Sequence, residues 1–81
     1  MNEAEVISKI KGTGIPEHDA KVVADCVISR KSCSWVNVNE IKREAVRSLV
    51  ELIQNEKYNI AISIKSVATR DKYIWEVKVL D

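Results

Sequence analysis

Cys26, Cys33 and His18 are the two cysteines and the one histidine of this sequence, the residue types that bind zinc most often. The two cysteines are seven positions apart. On one continuous helix that spacing is about 10 Å of rise, beyond the reach of a disulfide. A zinc site needs two further ligands, and the sequence has one histidine. We therefore predict free, buried thiols, with no metal site and no cofactor.

A catalytic constellation is also missing around His18. A triad requires a base beside a nucleophile, and the sequence shows no glycine-framed serine and no paired carboxylates in an apolar setting. The Gly12-Thr13-Gly14 segment lacks the preceding strand and the third glycine of a dinucleotide-binding loop. We expect an interhelical turn there, with Gly12 as the left-handed residue that ends a helix. His18 is predicted to be solvated, and the protein is predicted not to be an enzyme.

Composition and charge limit the remaining classes. A chain of 81 residues with 46% hydrophobic and 31% charged side chains predicts a single packed domain. Its 13 basic and 12 acidic residues nearly cancel, which argues against the basic surface of a duplex-binding protein. The first residues of the sequence include Glu3 and Glu5 and contain no long apolar run. We therefore predict no secretory signal and no membrane span, and we expect a cytoplasmic protein.

Two helices are predicted in the first part of the chain. Asn2 and Glu5 form a capping box, which predicts a peripheral helix from about Glu3 to Lys11. Pro16 suits the first position of a helix, and the apolar spacing that follows predicts a second helix up to about Lys31. The broad apolar side of this second helix indicates that it faces the core.

A third helix is predicted from Val38 to about Gln54 or Asn55. Its signals are a capping box at Asn37 and Glu40 and an apolar side covering roughly half of its circumference. A helix of this kind is expected to be central, in contact with both other helices and with a sheet. The opposite side carries charges of alternating sign, predicted to be solvated and to compensate each other: Glu40, Arg43, Glu44, Arg47 and Glu51.

The last part of the chain alternates apolar and polar residues with period two, which predicts two strands. A four-residue loop at Ala68–Asp71 makes this an antiparallel hairpin. The resulting register pairs Ile64 with Trp75, Ile62 with Val77 and Ile60 with Val79. The predicted fold class is therefore α+β, with three helices followed by a C-terminal hairpin. The predicted core consists of Ile41, Leu49, Ile53, Ile62, Trp75 and Val77. Cys33–Val38 could add a third strand, although the capping box leaves it short.

A two-stranded sheet has open edges that favour pairing with another chain. We therefore predict a protein-binding module, such as an adaptor, inhibitor or assembly component, that acts through its hairpin edge and helix surface. A homodimer is preferred over a monomer whose edge is guarded by lysines. The candidate partner-binding residues are Trp35, Lys65, Arg70, Lys72, Ile74 and Lys78.

Two alternatives stay open. Trp35, between the second and third helices, is either a plug that closes the core or an exposed anchor for a partner. The second alternative concerns function, because the mildly basic hairpin tip could bind nucleic acid. Asp71 and Glu76 dilute that charge, and the uninterrupted third helix argues against a winged helix.

Overall fold

A computed structural model of the chain describes residues 1–67 and 71–80. Within that part the elements are α1 (Glu3–Lys11), α2 (Glu17–Ser29), β1 (Cys33–Asn37), α3 (Arg43–Glu56), β2 (Ile60–Val67) and β3 (Lys72–Val79). The strands form an antiparallel sheet in the order β1-β3-β2, and the helices pack on one of its faces. The α+β class is confirmed. The predicted order of elements is wrong, because β1 lies between α2 and α3.

The hairpin has the register that the alternating pattern predicts. Ile64 pairs with Trp75, Ile62 with Val77 and Ile60 with Val79. Of the predicted loop, residues 68–70 lie outside the described part of the chain. β1 adds to the other side of β3, where Trp35 pairs with Trp75. β3 is therefore the central strand, and β1 and β2 are the two edges.

The core contains most of the residues that the sequence predicts for it. Leu49, Ile53, Trp75 and Val77 are buried, whereas Ile41 and Ile62 pack against them half-buried. The helix with the most buried residues is α2, which contributes Asp19, Ala20, Val23, Ala24, Cys26 and Val27. Since α3 contributes only Ala45, Leu49 and Ile53, its predicted position as the central helix is wrong.

α3 begins five residues later than its capping box predicts. Asn37 is the last residue of β1, where it pairs with Tyr73. Its Oδ1 accepts the amides of Val38 and Asn39, at 2.7 and 3.3 Å, and so forms a local turn instead of a helix cap. Strand pairing thus overrides the local capping signal. The helix starts at Arg43 without a side-chain cap.

The chain reversal after α2 explains why the two cysteines form a disulfide. α2 ends at Ser29, before the predicted Lys31, because Arg30 adopts the left-handed conformation (φ 56°, ψ 44°) and reverses the chain. Cys33 thereby returns to α2 and forms a disulfide with Cys26, with the two Cα atoms 6.4 Å apart. The prediction of free thiols is wrong because it assumed one continuous helix.

In the connection between α1 and α2, the glycine with a positive φ is Gly14, whereas the sequence predicts Gly12. α1 has the predicted bounds and the predicted cap, in which Asn2 Oδ1 accepts the Glu5 amide at 3.3 Å. Gly12, however, is right-handed (φ −61°), and Gly14 has the positive φ of 99°. A Cβ at Gly14 would lie 3.3 Å from that of Ala45, so this turn also lets α3 approach closely.

Candidate functional site

The structure places four of the six predicted partner-binding residues on the open face of the sheet, opposite the helices. Lys65 and Ile74 are direct cross-strand partners, and Val36 of β1 pairs with Ile74 from the other side. Lys72 and Lys78 are on the same face because they are two and four positions from Ile74. Arg70 lies outside the described residues.

Trp35 is not part of that face. It projects from β1 towards the helices, half-buried, and stacks on Trp75 with a centroid distance of 5.1 Å and an interplanar angle of 15°. Its Nε1 donates to Asp19 Oδ1 at 2.9 Å. These contacts agree with the interpretation of Trp35 as a core plug. Its role as a partner anchor stays a prediction.

Asp19 is a buried carboxylate that the sequence analysis missed. The residue is 0% exposed, and its Oδ1 accepts both the Trp35 indole and Asn37 Nδ2, the latter at 2.8 Å. Its other oxygen, Oδ2, is buried without a hydrogen-bond partner among the described residues. Charged groups are rarely buried unless they are paired in this way. The signal was present in the sequence, because Asp19 shares the apolar stripe of α2 with Val23 and Cys26, at helical spacing.

The backbone pattern shows which groups of the two edge strands point outward. The Leu80 amide donates to the Asn59 carbonyl at 2.8 Å, in register with the β2–β3 pairs. In an antiparallel ladder such hydrogen-bonded pairs alternate with pairs whose backbone groups point away. The pairs of Ala61, Ser63, Lys65 and Val67 with β3 are therefore bonded. The outward-facing amides and carbonyls of β2 belong to Ile60, Ile62, Ile64 and Ser66, which we call the β2 outer row.

The β1 edge has fewer outward-facing backbone groups than the β2 edge. The same alternation assigns Cys33, Trp35 and Asn37 to bonded pairs with β3, so Ser34 and Val36 alone point outward within β1. Among the residues that the structure describes, no strand pairs with either outer edge. The β2 outer row is thus twice as long as its β1 counterpart.

A groove of about 620 Å³ lies between the N-terminal half of α3 and the hairpin. Its lining combines apolar and polar side chains and includes Ile62, Ile64 and Ser66 of the β2 outer row. Two arginines one helical turn apart complete it. The full lining consists of Ile41, Arg43, Val46, Arg47, Ile62, Ile64, Ser66 and Tyr73.

Arg43 and Arg47 make no direct ion pair in the part of the chain that the structure describes, and the predicted compensation of charges along α3 stays a prediction. In residues 1–67 and 71–80 the ion pairs join lysines to glutamates, and none includes Arg43 or Arg47. Glu44, the nearest acidic neighbour along α3, is not part of the groove lining. The groove therefore combines apolar walls with two exposed positive charges. The sequence assigned both arginines to the solvated side of the helix, and both are exposed.

The open face of the sheet lacks the features of a single-stranded nucleic-acid platform. Such platforms stack bases on aromatic side chains. Trp35, Tyr73 and Trp75 project to the helix side of the sheet, and Tyr58 is buried in the loop before β2. These four are all the aromatic residues of the chain. The lysines of the open face therefore have no stacking partner for a base.

No protein-family model, curated protein or solved structure matches this chain. None of the described helices is long and apolar enough to cross a membrane. The described residues also contain no group of three or more His, Cys, Asp or Glu side chains arranged to hold a metal ion. The chain has a Cys26–Cys33 disulfide, and disulfides are uncommon in a reducing cytosol. The cytoplasmic localisation therefore stays a prediction.

Proposed function

We propose that this protein is a non-enzymatic binding module that takes a strand of another chain into its sheet along β2. The observation that carries the proposal is the β2 outer row. Its four residues, at every second position of the strand, have outward-facing backbone groups without a partner strand in the described structure. Strand addition of this kind gains affinity from main-chain hydrogen bonds and specificity from pockets for alternate side chains. The groove beside β2 supplies such a pocket.

The regularity of β2 also supports this function. Edge strands that avoid pairing are short, bulged or interrupted by proline. β2 has eight residues in an unbroken register with β3 and contains no proline. One guarding lysine, Lys65, lies near its middle, and its side chain projects to the open face, away from the groove.

A second copy of the chain is one candidate partner. A two-fold axis at Ser63 would pair Ile62 with Ile64 of the second copy and would engage the whole outer row. The same register places Lys65 opposite Ala61 and so avoids a lysine facing its own copy. A homodimer of this geometry would have a continuous six-stranded sheet.

Amide hydrogen exchange tests strand addition directly. The protein is measured at rising concentration, and with peptides as long as β2 in which valine alternates with glutamate, lysine or threonine. Pairing at β2 slows exchange at Ile60, Ile62, Ile64 and Ser66 and leaves Ser34 and Val36 unchanged. If no peptide and no concentration slows exchange in the outer row, the proposal is wrong.

A matched pair of variants locates the edge. Ser66→Pro removes one outward amide of β2, and Val36→Pro removes one outward amide of β1, so neither breaks a bond to β3. The proposal predicts that Ser66→Pro weakens pairing and that Val36→Pro does not.

A further inference from the structure

We infer that the strand received by β2 is an acidic segment of a different protein, extended and with aliphatic side chains at alternate positions. This inference rests on the proposed function and adds the chemistry of the partner. It follows from the shape of the groove, from the charges around it, and from the mismatch between the groove and a second copy of this chain.

The geometry fixes the spacing of the aliphatic side chains. A strand beside β2 would direct every second side chain to the helix side of the sheet, where Ile62 and Ile64 already project. Both isoleucines are only half-buried because α3 does not cover them completely. Aliphatic side chains from an added strand would lie against them and remove their remaining surface from water.

The positive charges around the groove favour a partner segment with negative charge. Arg43 and Arg47 both line the groove, and Arg43 occupies the first position of α3, where the helix dipole adds further positive potential. On the open face Lys65 projects from the centre of the same edge strand. Carboxylates on either side of an added strand would therefore meet a positive group, and arginine can bind a carboxylate through two hydrogen bonds.

A second copy fits these features poorly. The side chains that its β2 would turn to the helix side are Ile60, Ile62, Ile64 and Ser66, none of which is acidic. On the open side its Lys65 would add a positive charge to an edge that already carries one. Pairing with a second copy would thus bring no carboxylate from the added strand to Arg43 and Arg47.

The test compares peptides and variants. Isothermal titration measures the affinities of two peptides as long as β2. Both have threonine at the open-face positions; at the helix-side positions one has two valines and two glutamates, and the other has two valines and two lysines. Each peptide is titrated into the wild type, Arg43→Gln/Arg47→Gln and Lys21→Gln/Lys31→Gln. The last variant removes the same charge from exposed sites outside the groove lining. We expect the glutamate peptide to bind the wild type and the control equally, and the arginine variant roughly tenfold more weakly, as for two exposed ion pairs. Circular dichroism verifies that each variant is folded.

The outcomes separate this inference from the proposed function. Equal binding of both peptides, with the outer row protected, retains strand addition and overturns the acidic partner. Dimerisation of the wild type with no peptide binding retains strand addition and identifies the second copy as the partner, which also overturns the inference. Displacement of the glutamate peptide by decanoate without protection of the outer row would identify a site for small carboxylates and overturn both. Absence of any binding or dimerisation overturns both as well.

Discussion

The two edges of the sheet are held in opposite ways. β1 has five residues, and three links fix it to α2: the Cys26–Cys33 disulfide and the hydrogen bonds of Trp35 and Asn37 to Asp19. β2 has eight residues, and in the described structure none of its side chains makes a hydrogen bond or ion pair to a helix. The difference is that β1 is tied to the helix layer, whereas the outer row of β2 has no partner strand among the described residues.

The largest effect that this comparison predicts is at Trp35. Trp35→Ala removes the stack on Trp75 and a hydrogen bond to a buried carboxylate, so the free energy of unfolding should fall by about 3–4 kcal/mol. Ile62→Ala on the other edge removes a half-buried side chain and should cost about 1–2 kcal/mol. Urea denaturation of both variants measures the two values. Equal losses would contradict the asymmetry between the edges.

Removal of the disulfide should have the next largest effect. Cys26→Ala/Cys33→Ala releases a short closed loop, and the expected loss is about 2–3 kcal/mol. Amide exchange at Trp35 should become faster by a larger factor than exchange at Ser63, which has a bonded position in β2. Ser34→Ala, an exposed change in the same strand, is the control and should alter stability by less than about 0.5 kcal/mol. Unchanged denaturation of the double variant would show that the disulfide does not secure β1.

The smallest predicted difference concerns single polar contacts. Asn37→Ala removes a hydrogen bond to Asp19 and the turn that follows β1, with an expected loss of about 1–1.5 kcal/mol. Ser66→Ala, on the β2 edge, has no such contact to lose and should change stability by less than about 0.5 kcal/mol. Thermal denaturation of both variants measures the two changes in stability. A loss at Ser66 equal to that at Asn37 would mean that β2 is held as firmly as β1.

The hairpin could be predicted from sequence because its information is local. Alternation with period two in both strands, together with a short loop, leaves one register in which Ile60, Ile62 and Ile64 meet apolar partners. α1 could be predicted for the same reason, since its cap and its apolar residues lie within a few turns of each other.

The same reasoning offered β1 only as an alternative, a possible third strand at Cys33–Val38, and it did not predict the disulfide. Cys33–Asn37 is short, and the capping signal at Asn37 is as strong locally as the strand signal. The outcome depends on β3, which is more than thirty positions away and supplies the partner strand. The reversal at Arg30 carries no glycine to mark it, although most left-handed helix ends do.

The groove depends on the same distant pairing. Once β1 holds Asn37 in the sheet, α3 begins at Arg43, and its first turns then lie beside the hairpin. Arg43 and Arg47 were recognisable in the sequence as exposed charges. Their position at the edge of an apolar groove follows from the tertiary structure, which no local pattern reports.

The central position of β3 has a consequence for the order in which the protein acquires its structure during translation. β1 and β2 are both synthesised before the strand that each of them pairs with, so the emerging polypeptide has two strand sequences and no ladder. Cys26 and Cys33 are also synthesised before β3. Oxidation at that point would hold β1 against α2 as a template and lower the entropic cost of the long-range closure that β3 completes. In a reducing environment the ribosome would release a chain that must find this arrangement without a template.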